Sequence, residues 1–403
     1  MFLLLIHFIG RLASIKIPAA FFYASTRMLL SALTAGLITI FLGPRFIKKL
    51  YELKMGQPMR LEDCPMLASL HEKKKETPTM GGVLILFAML CSLFLWMDMY
   101  SSFTWLLFFA TVSLGFVGGL DDYLKLKKRN SKGLKGSLKI LLQTLFVGMI
   151  ALYLYVPSIT QKISSEEALK APVAKEYVHE GAVIDTIDLS TQDYLRRYYL
   201  PFVKEPIFIL AGASVVIGFF ITWLAITGTS NAVNLTDGLD GLAAGHLIMA
   251  SLVFGIFAFL SNHSEIAKYL NILYIEGSAE IAIYLFALAG ASLGFLWYNA
   301  YPAQVFMGDT GSIALGGVLG LSAVLLRREG LLVLAGGVFV AETFSVIIQV
   351  LSYKLRHGKR VFLCSPLHHH FEYKGWPETK VVMRFWIVGF LLAMLALSSL
   401  KFQ

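Results

Sequence analysis

Five aspartates stand at the ends of apolar runs, where their carboxylates could bind a cation. Asp121 and Asp122 close one run, Asp237 and Asp240 follow a second, and Asp309 precedes a third. Carboxylates beside a low-dielectric region need a metal, a base or a shared proton to coexist. These acidic helix ends therefore suggest one shared site, and Mg²⁺ is the hard divalent cation that such oxygen ligands suit.

The polar stretch Asn231–Gly241 lies between two apolar runs and contains two of these acids. Asn234, Asp237 and Asp240 are three residues apart, so a helix through this stretch would place all three on one face. A polar turn that only caps two helices is the alternative. The other acidic run ends favour the cation site.

Basic side chains near the acids could bind phosphate. Lys125 lies one helical turn beyond the Asp121-Asp122 pair and could hold a phosphate group. The segment that contains Lys74 and Thr79 precedes the second apolar run, and it either binds substrate or anchors the chain at a positive membrane face.

Two further segments have more than one interpretation. Phe306 lies in an otherwise polar loop, 299–309, where its ring could face lipid or stack on a base. The triplet His368-His369-His370 could bind zinc, but adjacent side chains point in different directions. Hydrogen bonds or positive charge offered to a phosphate are favoured for the histidines.

Composition identifies the class of protein. The chain has 403 residues, of which 57% are hydrophobic and 15% charged, and its mean hydropathy is +0.68. These values are typical of a polytopic membrane protein. The net charge is +9, and the charged residues lie between the apolar runs. This pattern favours anionic lipid or an anionic substrate over nucleic acid as a partner.

The elements that must position these residues are ten predicted transmembrane helices, which make one all-α membrane domain over 1–403. The apolar run at 1–10 is too short to span and is followed by Arg11 and Lys16, so residues 1–20 are predicted to form an interfacial helix. The ten spans are predicted at about 22–42, 80–97, 103–120, 140–156, 207–227, 242–260, 281–298, 313–326, 331–351 and 382–400.

Loop charges predict the orientation of the spans. Loops rich in Arg and Lys follow the first, third and ninth spans, which places those loops in the cytoplasm and both termini in the periplasm. All the candidate motifs then lie at the cytoplasmic face. Arg327 and Arg328 fall on the outer side and depart from the rule.

An extended periplasmic insertion, residues 157–205, separates the fourth and fifth spans. We expect a strand at 183–189 and an amphipathic helix at 194–200 within it. The insertion lies opposite the candidate motifs, so we predict that it can be shortened without loss of turnover.

Five segments resemble the phospho-N-acetylmuramoyl-pentapeptide translocase (MraY) family of the polyprenyl-phosphate N-acetylhexosamine-1-phosphate transferases. They occur in the family's order and extend over nearly the whole chain. The segments are KKKETPTMGG (73–82), DDYLK (121–125), NAVNLTDGLDGLA (231–243), WYNAYPAQVFMGDTGS (297–312) and PLHHHFEYKGWPETKVVMRFW (366–386).

The resemblance implies a Mg²⁺-dependent enzyme of the bacterial inner membrane that acts in peptidoglycan synthesis, and therefore in cell-wall biogenesis, cell shape and cell division. UDP-N-acetylmuramoyl-pentapeptide and undecaprenyl phosphate would give lipid I and UMP. It also implies a homodimer. A sibling transferase that uses UDP-N-acetylglucosamine and a cation-coupled transporter are the alternatives, and transfer could be direct or could pass through an aspartyl intermediate.

The resemblance also implies roles for individual residues. Asp309 would bind Mg²⁺, Asp121 would deprotonate the lipid phosphate, and Phe306 would stack on the uracil. The implied catalytic residues are Asp121, Asp122, Asp237, His368 and His369, and the implied substrate-binding residues are Lys74, Thr79, Lys125, Asn234, Asp240, Asn299 and Phe306.

Overall fold

The computed structural model describes residues 19–53, 77–128, 133–163, 171–180 and 183–401. Lys74 and nearly all of the predicted interfacial helix at 1–20 lie outside these ranges. The helices are α1 (Ala24–Glu52), α2 (Gly81–Trp96), α3 (Ser102–Lys128), α4 (Gly136–Tyr155), α5 (Pro157–Ile163), α6 (Thr191–Leu195), α7 (Val215–Trp223), α8 (Thr229–Thr236), α9 (Leu242–Ser261), α10 (Ser264–Leu270), α11 (Ala279–Asn299), α12 (Gly308–Leu325), α13 (Glu329–Ala335), α14 (Gly337–Leu355), α15 (Leu367–Tyr373) and α16 (Glu378–Ser398).

The protein is a multi-pass helical membrane protein. In the described ranges, nine helices have the length and apolar composition to cross a membrane, and Val215–Thr236 counts as one of them. The second predicted span corresponds to α2, which is apolar but has 16 residues. Every predicted span therefore contains a helix, and the count of ten crossings stays a prediction.

The fifth predicted span, 207–227, was wrong at its start and at its end. The start of this span is extended because Phe208 and Ile209 pair with Tyr198 and Arg197, and a 3₁₀ turn at Gly212–Ser214 precedes α7. A π-helical turn at Leu224–Gly228 joins α7 to α8, and the helix continues to Thr236.

The prediction that Asn234, Asp237 and Asp240 share one face of a helix was also wrong. Asp237 terminates α8 with φ −77° and ψ 53°, so Asp240 belongs to the turn that follows. Gly241 ends that turn with φ +78°, a left-handed conformation that glycine adopts without a steric penalty.

The all-α prediction needs a correction, because five strands in the described part of the chain form two small antiparallel sheets. They are β1 (Ala174–Glu180), β2 (Val183–Leu189), β3 (Arg197–Tyr198), β4 (Phe208–Ile209) and β5 (Tyr274–Ile275). In one sheet β1 lies between β2 and β5, and in the other β3 pairs with β4.

The insertion accounts for most of this β-structure. Its predicted strand at 183–189 is confirmed as β2. The predicted helix at 194–200 was wrong: α6 begins after Ser190, whose hydroxyl accepts from the Asp193 N–H, and it ends at Leu195. The chain cannot continue as a helix because Arg197 and Tyr198 are paired in a sheet.

The centre of the fold is α12, which is buried at every residue from Thr310 to Leu325. It packs against α2, α3 and α8. A Cβ on Gly82 would overlap the backbone of Gly311, and one on Gly118 would overlap the backbone of Asp309. Glycine at these two positions therefore lets α2 and α3 approach the first turn of α12, where Asp309 lies.

Candidate active site

Three of the predicted acidic residues meet where α3 ends and α12 begins. Each of Asp121, Asp122 and Asp309 offers a carboxylate oxygen within 4.8 Å of the other two. Asp121 and Asp122 are buried, and Asp309 is partly buried. The sequence predicted this cluster because acidic residues stand at the ends of several apolar runs. The close packing of α3 on α12 brings three of them together.

Asp122 caps the amino terminus of α12. Its Oδ1 accepts from the Asp309 N–H at 3.2 Å, and its Oδ2 accepts from the Thr310 N–H at 2.9 Å and from Thr310 Oγ1 at 2.7 Å. A carboxylate is stabilised at this end of a helix by unpaired N–H groups and by the helix dipole. Asp122 thus fixes the direction of α12 relative to α3.

Two ammonium groups share one oxygen of Asp309. Lys139 Nζ lies 2.6 Å from Oδ2, and Lys125 Nζ lies 3.0 Å from the same atom. Lys125 also lies 2.6 Å from Asp121 Oδ2. Lys125 was predicted, but Lys139 was not, because it was one of several bases between the third and fourth spans. Its position in the first turn of α4 was the available signal.

Asn234 joins α8 to the same cluster. Its Nδ2 donates to Asp309 Oδ1 at 2.9 Å and to Ser312 Oγ at 2.9 Å. Asp121 receives a further hydrogen bond from the Leu134 N–H at 2.7 Å. The backbone before α4, the side chains of α8 and the end of α3 therefore converge on the first turn of α12.

The cluster fits a divalent cation by its chemistry. Its donors are carboxylate oxygens, which Mg²⁺ prefers, and they lie close enough together to repel strongly without positive charge. Lys125 and Lys139 supply that charge in the described structure. A site that already gathers two cations around three carboxylates is suited to binding a metal next to phosphate groups.

Asp237 lies beside the cluster and accepts a hydrogen bond from the Gly308 backbone. Burial, together with the nearby Asp309 and Asp122 carboxylates, raises the pKa of Asp237 to about 7. Of the three polar residues spaced along the motif, Asn234 and Asp237 reach the cluster region.

Asp240 and Asn299 connect two loops instead. Asp240 Oδ2 accepts from the Ala303 N–H at 3.0 Å. Asn299 Oδ1 accepts from the Gly241 N–H at 3.1 Å, and its Nδ2 donates to the Val305 carbonyl at 2.9 Å. These bonds hold the loop before Phe306 against the turn that carries Asp237.

Phe306 and Thr79 lie where the segment before α2 meets the loop before α12. The Phe306 N–H donates to the Pro78 carbonyl at 2.8 Å, and the Gly81 N–H donates to the Phe306 carbonyl at 2.8 Å. Thr79 is buried, and Phe306 is partly buried. The aromatic ring is therefore held by its backbone on both sides, next to the acidic cluster.

The histidine triplet does not converge on one point. His368 is fully buried beside Glu342, His369 Nδ1 lies 2.7 Å from Glu372 Oε2, and His370 Nδ1 accepts from the Leu363 N–H at 3.1 Å. Separate partners for the three rings argue against the zinc alternative. Glu342 was not predicted, because a single acid within an apolar run reveals no partner.

The fold and the site define a membrane-embedded helical protein with an acidic cluster at the ends of its helices, and the comparisons with known proteins identify the class as a transferase. Residues 104–327 match the model for glycosyl transferase family 4. Residues 74–86 match the phospho-N-acetylmuramoyl-pentapeptide-transferase signature 1.

Two curated relatives are similar over the full length. A phospho-N-acetylmuramoyl-pentapeptide-transferase of Protochlamydia amoebophila (strain UWE25) is 56% identical, with 100% of both chains covered. One of Oleidesulfovibrio alaskensis (strain ATCC BAA-1058 / DSM 17464 / G20) is 41% identical and covers 99% of this chain and 100% of its own. The chain belongs to the phospho-N-acetylmuramoyl-pentapeptide-transferase family, which confirms the resemblance found in the sequence.

Proposed function

We propose that this enzyme transfers phospho-N-acetylmuramoyl-pentapeptide from UDP-N-acetylmuramoyl-pentapeptide to undecaprenyl phosphate, giving lipid I and UMP. The observation that carries the proposal is the Asp121–Asp122–Asp309 cluster with Lys125 and Lys139 at its centre. Such a group of charges suits the meeting of two phosphate-bearing substrates. The full-length relatives support this donor over UDP-N-acetylglucosamine.

The bond changes follow from the substrates. An oxygen of the lipid phosphate attacks the β-phosphorus of the donor, and the bond from that phosphorus to the α–β bridging oxygen breaks. UMP leaves with that oxygen. A phosphate monoester has a second pKa of ~6, so the nucleophile is largely dianionic at neutral pH and needs little help from a base.

The harder problem is the approach of one anion to another. Two unit charges at 4 Å repel by roughly 4 kcal/mol at an effective dielectric of 20. We propose that Lys125 and Lys139 reduce this repulsion. Mg²⁺ held by Asp309, with Asp121 and Asp122 beside it, would stabilise charge on the phosphate oxygens.

Direct attack is the route that the site favours. Asp122 accepts three hydrogen bonds at the start of α12, and Asp309 is bound by two lysines and Asn234. Carboxylates with these bonds are poor nucleophiles. In this proposal Asp121 helps to deprotonate the lipid phosphate, and Asp237 adds a further carboxyl group beside the cluster.

The donor's nucleoside is proposed to bind beside Phe306, with its uracil stacked on the ring. Asp240 and Asn299 shape this pocket by joining its two loops. Thr79 and Lys74 belong to the same proposed pocket, and Lys74 lies outside the described residues. His369 is proposed to lie near the sugar phosphates.

The membrane arrangement is part of the proposal. Ten spans with both termini in the periplasm would place the site at the cytoplasmic face of the bacterial inner membrane. A cytoplasmic UDP-linked donor and a membrane-bound acceptor would both reach that face. A homodimer is proposed from the family resemblance alone.

Donor competition with the purified enzyme tests the substrate. UMP should be released from UDP-N-acetylmuramoyl-pentapeptide with undecaprenyl phosphate and Mg²⁺, and UDP-N-acetylglucosamine should be inactive. Release from UDP-N-acetylglucosamine alone would favour the sibling reaction. Uptake of the donor by sealed vesicles without UMP formation would favour the transporter alternative.

A further inference from the structure

Glu342 is a buried carboxylate that no step of the proposed reaction uses. It lies in α14 and is 0% exposed. Its Oε1 accepts a hydrogen bond from the His368 N–H at 3.2 Å and lies 3.2 Å from His368 Nδ1. A buried acid is costly unless it is paired. One oxygen of Glu342 therefore binds the backbone of His368 and lies in contact with its ring.

The other edge of the His368 ring packs under the acidic turn. A Cβ on Gly238 would overlap His368 Nε2, so this nitrogen rests directly on the backbone of the residue after Asp237. His368 is 0% exposed. The ring therefore packs against the turn and is enclosed from solvent.

The same turn is held at its other end by separate contacts. The Asp240 N–H donates to Glu378 Oε1 at 2.9 Å, and the Gly241 N–H donates to Asn299 Oδ1 at 3.1 Å. At the Gly238 end, Asp237 accepts a hydrogen bond from the Gly308 backbone, and the His368 ring packs against Gly238. A change at Glu342 should thus loosen the end of the turn that lies beside Asp237.

We propose that Glu342 is a positioning residue: it holds His368 against Gly238 and thereby fixes the turn that places Asp237 beside the Asp121–Asp122–Asp309 cluster. This inference rests on the proposed function for its effect on turnover. Its effect on the turn itself is independent of which donor the enzyme uses.

Two substitutions separate positioning from charge. Glu342→Gln removes the charge but keeps an acceptor oxygen at the same reach, so the turn should stay ordered and turnover should fall less than about threefold. Glu342→Asp keeps the charge but withdraws the oxygen by one methylene. Turnover should then fall about 10- to 100-fold, as it does when a group that orients an active-site residue is moved.

Hydrogen–deuterium exchange gives a readout apart from activity. Backbone amides at 237–241 should exchange faster in Glu342→Asp than in the wild type and remain protected in Glu342→Gln. Thr343→Val is the matched control, because the Thr343 hydroxyl bonds to the Phe339 carbonyl within the same helix. It should leave both exchange and turnover unchanged.

The result that would overturn the proposal is faster exchange at 237–241 in Glu342→Gln together with wild-type exchange in Glu342→Asp, which would assign the effect to charge. Unchanged exchange in both variants would overturn it as well. If the wild type releases no UMP, the proposed function fails, but the exchange comparison still decides whether Glu342 holds the turn. Thermal unfolding of each variant confirms that it is folded.

Discussion

Lys139 Nζ donates a 2.6 Å hydrogen bond to Asp309 Oδ2, which joins the first turn of α4 to the first turn of α12. Lys125 approaches the same oxygen from the end of α3. Two consecutive helices, α3 and α4, therefore meet α12 at one carboxylate, which lies 170 residues beyond Lys139 in the sequence. The contact makes Lys139 a part of the site, although its sequence position did not distinguish it.

Lys139→Met should reduce turnover by about 100-fold or more. Loss of one ammonium group removes a favourable interaction of roughly 4 kcal/mol with nearby anionic groups, and each 1.36 kcal/mol on the barrier is a factor of ten. UMP release measures the effect. Lys135→Met is the control, because Lys135 is exposed one turn earlier; equal activity of the two variants would contradict the role of Lys139.

Asp122→Ala and Asp121→Asn should have different effects. Asp122→Ala removes three hydrogen bonds at the start of α12 and should destabilise the fold by about 1–3 kcal/mol. Asp121→Asn keeps an acceptor for the Leu134 N–H and leaves Lys125 paired with Asp309, so it should destabilise the fold less than Asp122→Ala, and its loss of charge should reduce turnover. Equal thermal stability of both variants would contradict the capping role of Asp122.

Asp237 should make the stability of the metal-free enzyme depend on pH. Its folded pKa of about 7 lies above the unfolded value of ~3.9, so the folded state binds one more proton between those values. The associated stability is present below about pH 4 and is lost as the pH rises through about 7.

Thermal unfolding in EDTA, from about pH 4 to pH 8, measures this effect in the wild type and in Asp237→Asn. The wild type should lose stability relative to the variant as the pH rises. Parallel curves for the two proteins would show that Asp237 does not titrate in this range.

Arg327→Met should destabilise the protein by about 3 kcal/mol or more, because it breaks a buried pair with Glu329. Arg327 is 0% exposed, donates from Nε to the Arg197 carbonyl at 3.1 Å and lies 4.2 Å from the centre of the Tyr198 ring. Lys175→Ala, which removes an exposed ion pair, is the control for thermal unfolding. Equal midpoints for the two variants would contradict the structural role of Arg327.

In the predicted orientation Arg327 departs from the positive-inside pattern, and its surroundings give a physical reason for this. Its charge is enclosed by the insertion and paired with Glu329, so it is not a free loop charge. The prediction that the insertion can be shortened stays a prediction. A shortened insertion should keep Arg197 and Tyr198, because these two residues of β3 contact Arg327.

Hydropathy predicted the helices because a membrane span must be long and apolar, and that requirement is visible in the sequence. It failed at 207–214, where Phe208 and Ile209 form a strand and Gly212–Ser214 forms a 3₁₀ turn. The Ile207 N–H donates to the Tyr198 carbonyl, and β4 pairs with β3. This long-range pairing overrides a local apolar pattern that is typical of a helix.

The cluster was predictable because each of its aspartates ends or begins a span, and loop charges placed those ends on one side. The different positions of Asp237 and Asp240 could not be predicted from the sequence. Helical spacing treats them alike, but α8 ends at Thr236 and separates them. Glu342 could not be assigned, because its partner His368 lies 26 residues away in another helix.

The measurement that tests the account most directly is UMP release from UDP-N-acetylmuramoyl-pentapeptide and undecaprenyl phosphate, with Mg²⁺ varied, in the wild type and in Asp309→Asn. We predict Mg²⁺-dependent release by the wild type and its loss in the variant, because Asp309 belongs to the cluster and is contacted by Lys125, Lys139 and Asn234. Release that survives in folded Asp309→Asn with the same Mg²⁺ dependence would contradict Asp309 as the metal ligand. No release by folded wild-type protein would contradict the proposed reaction itself.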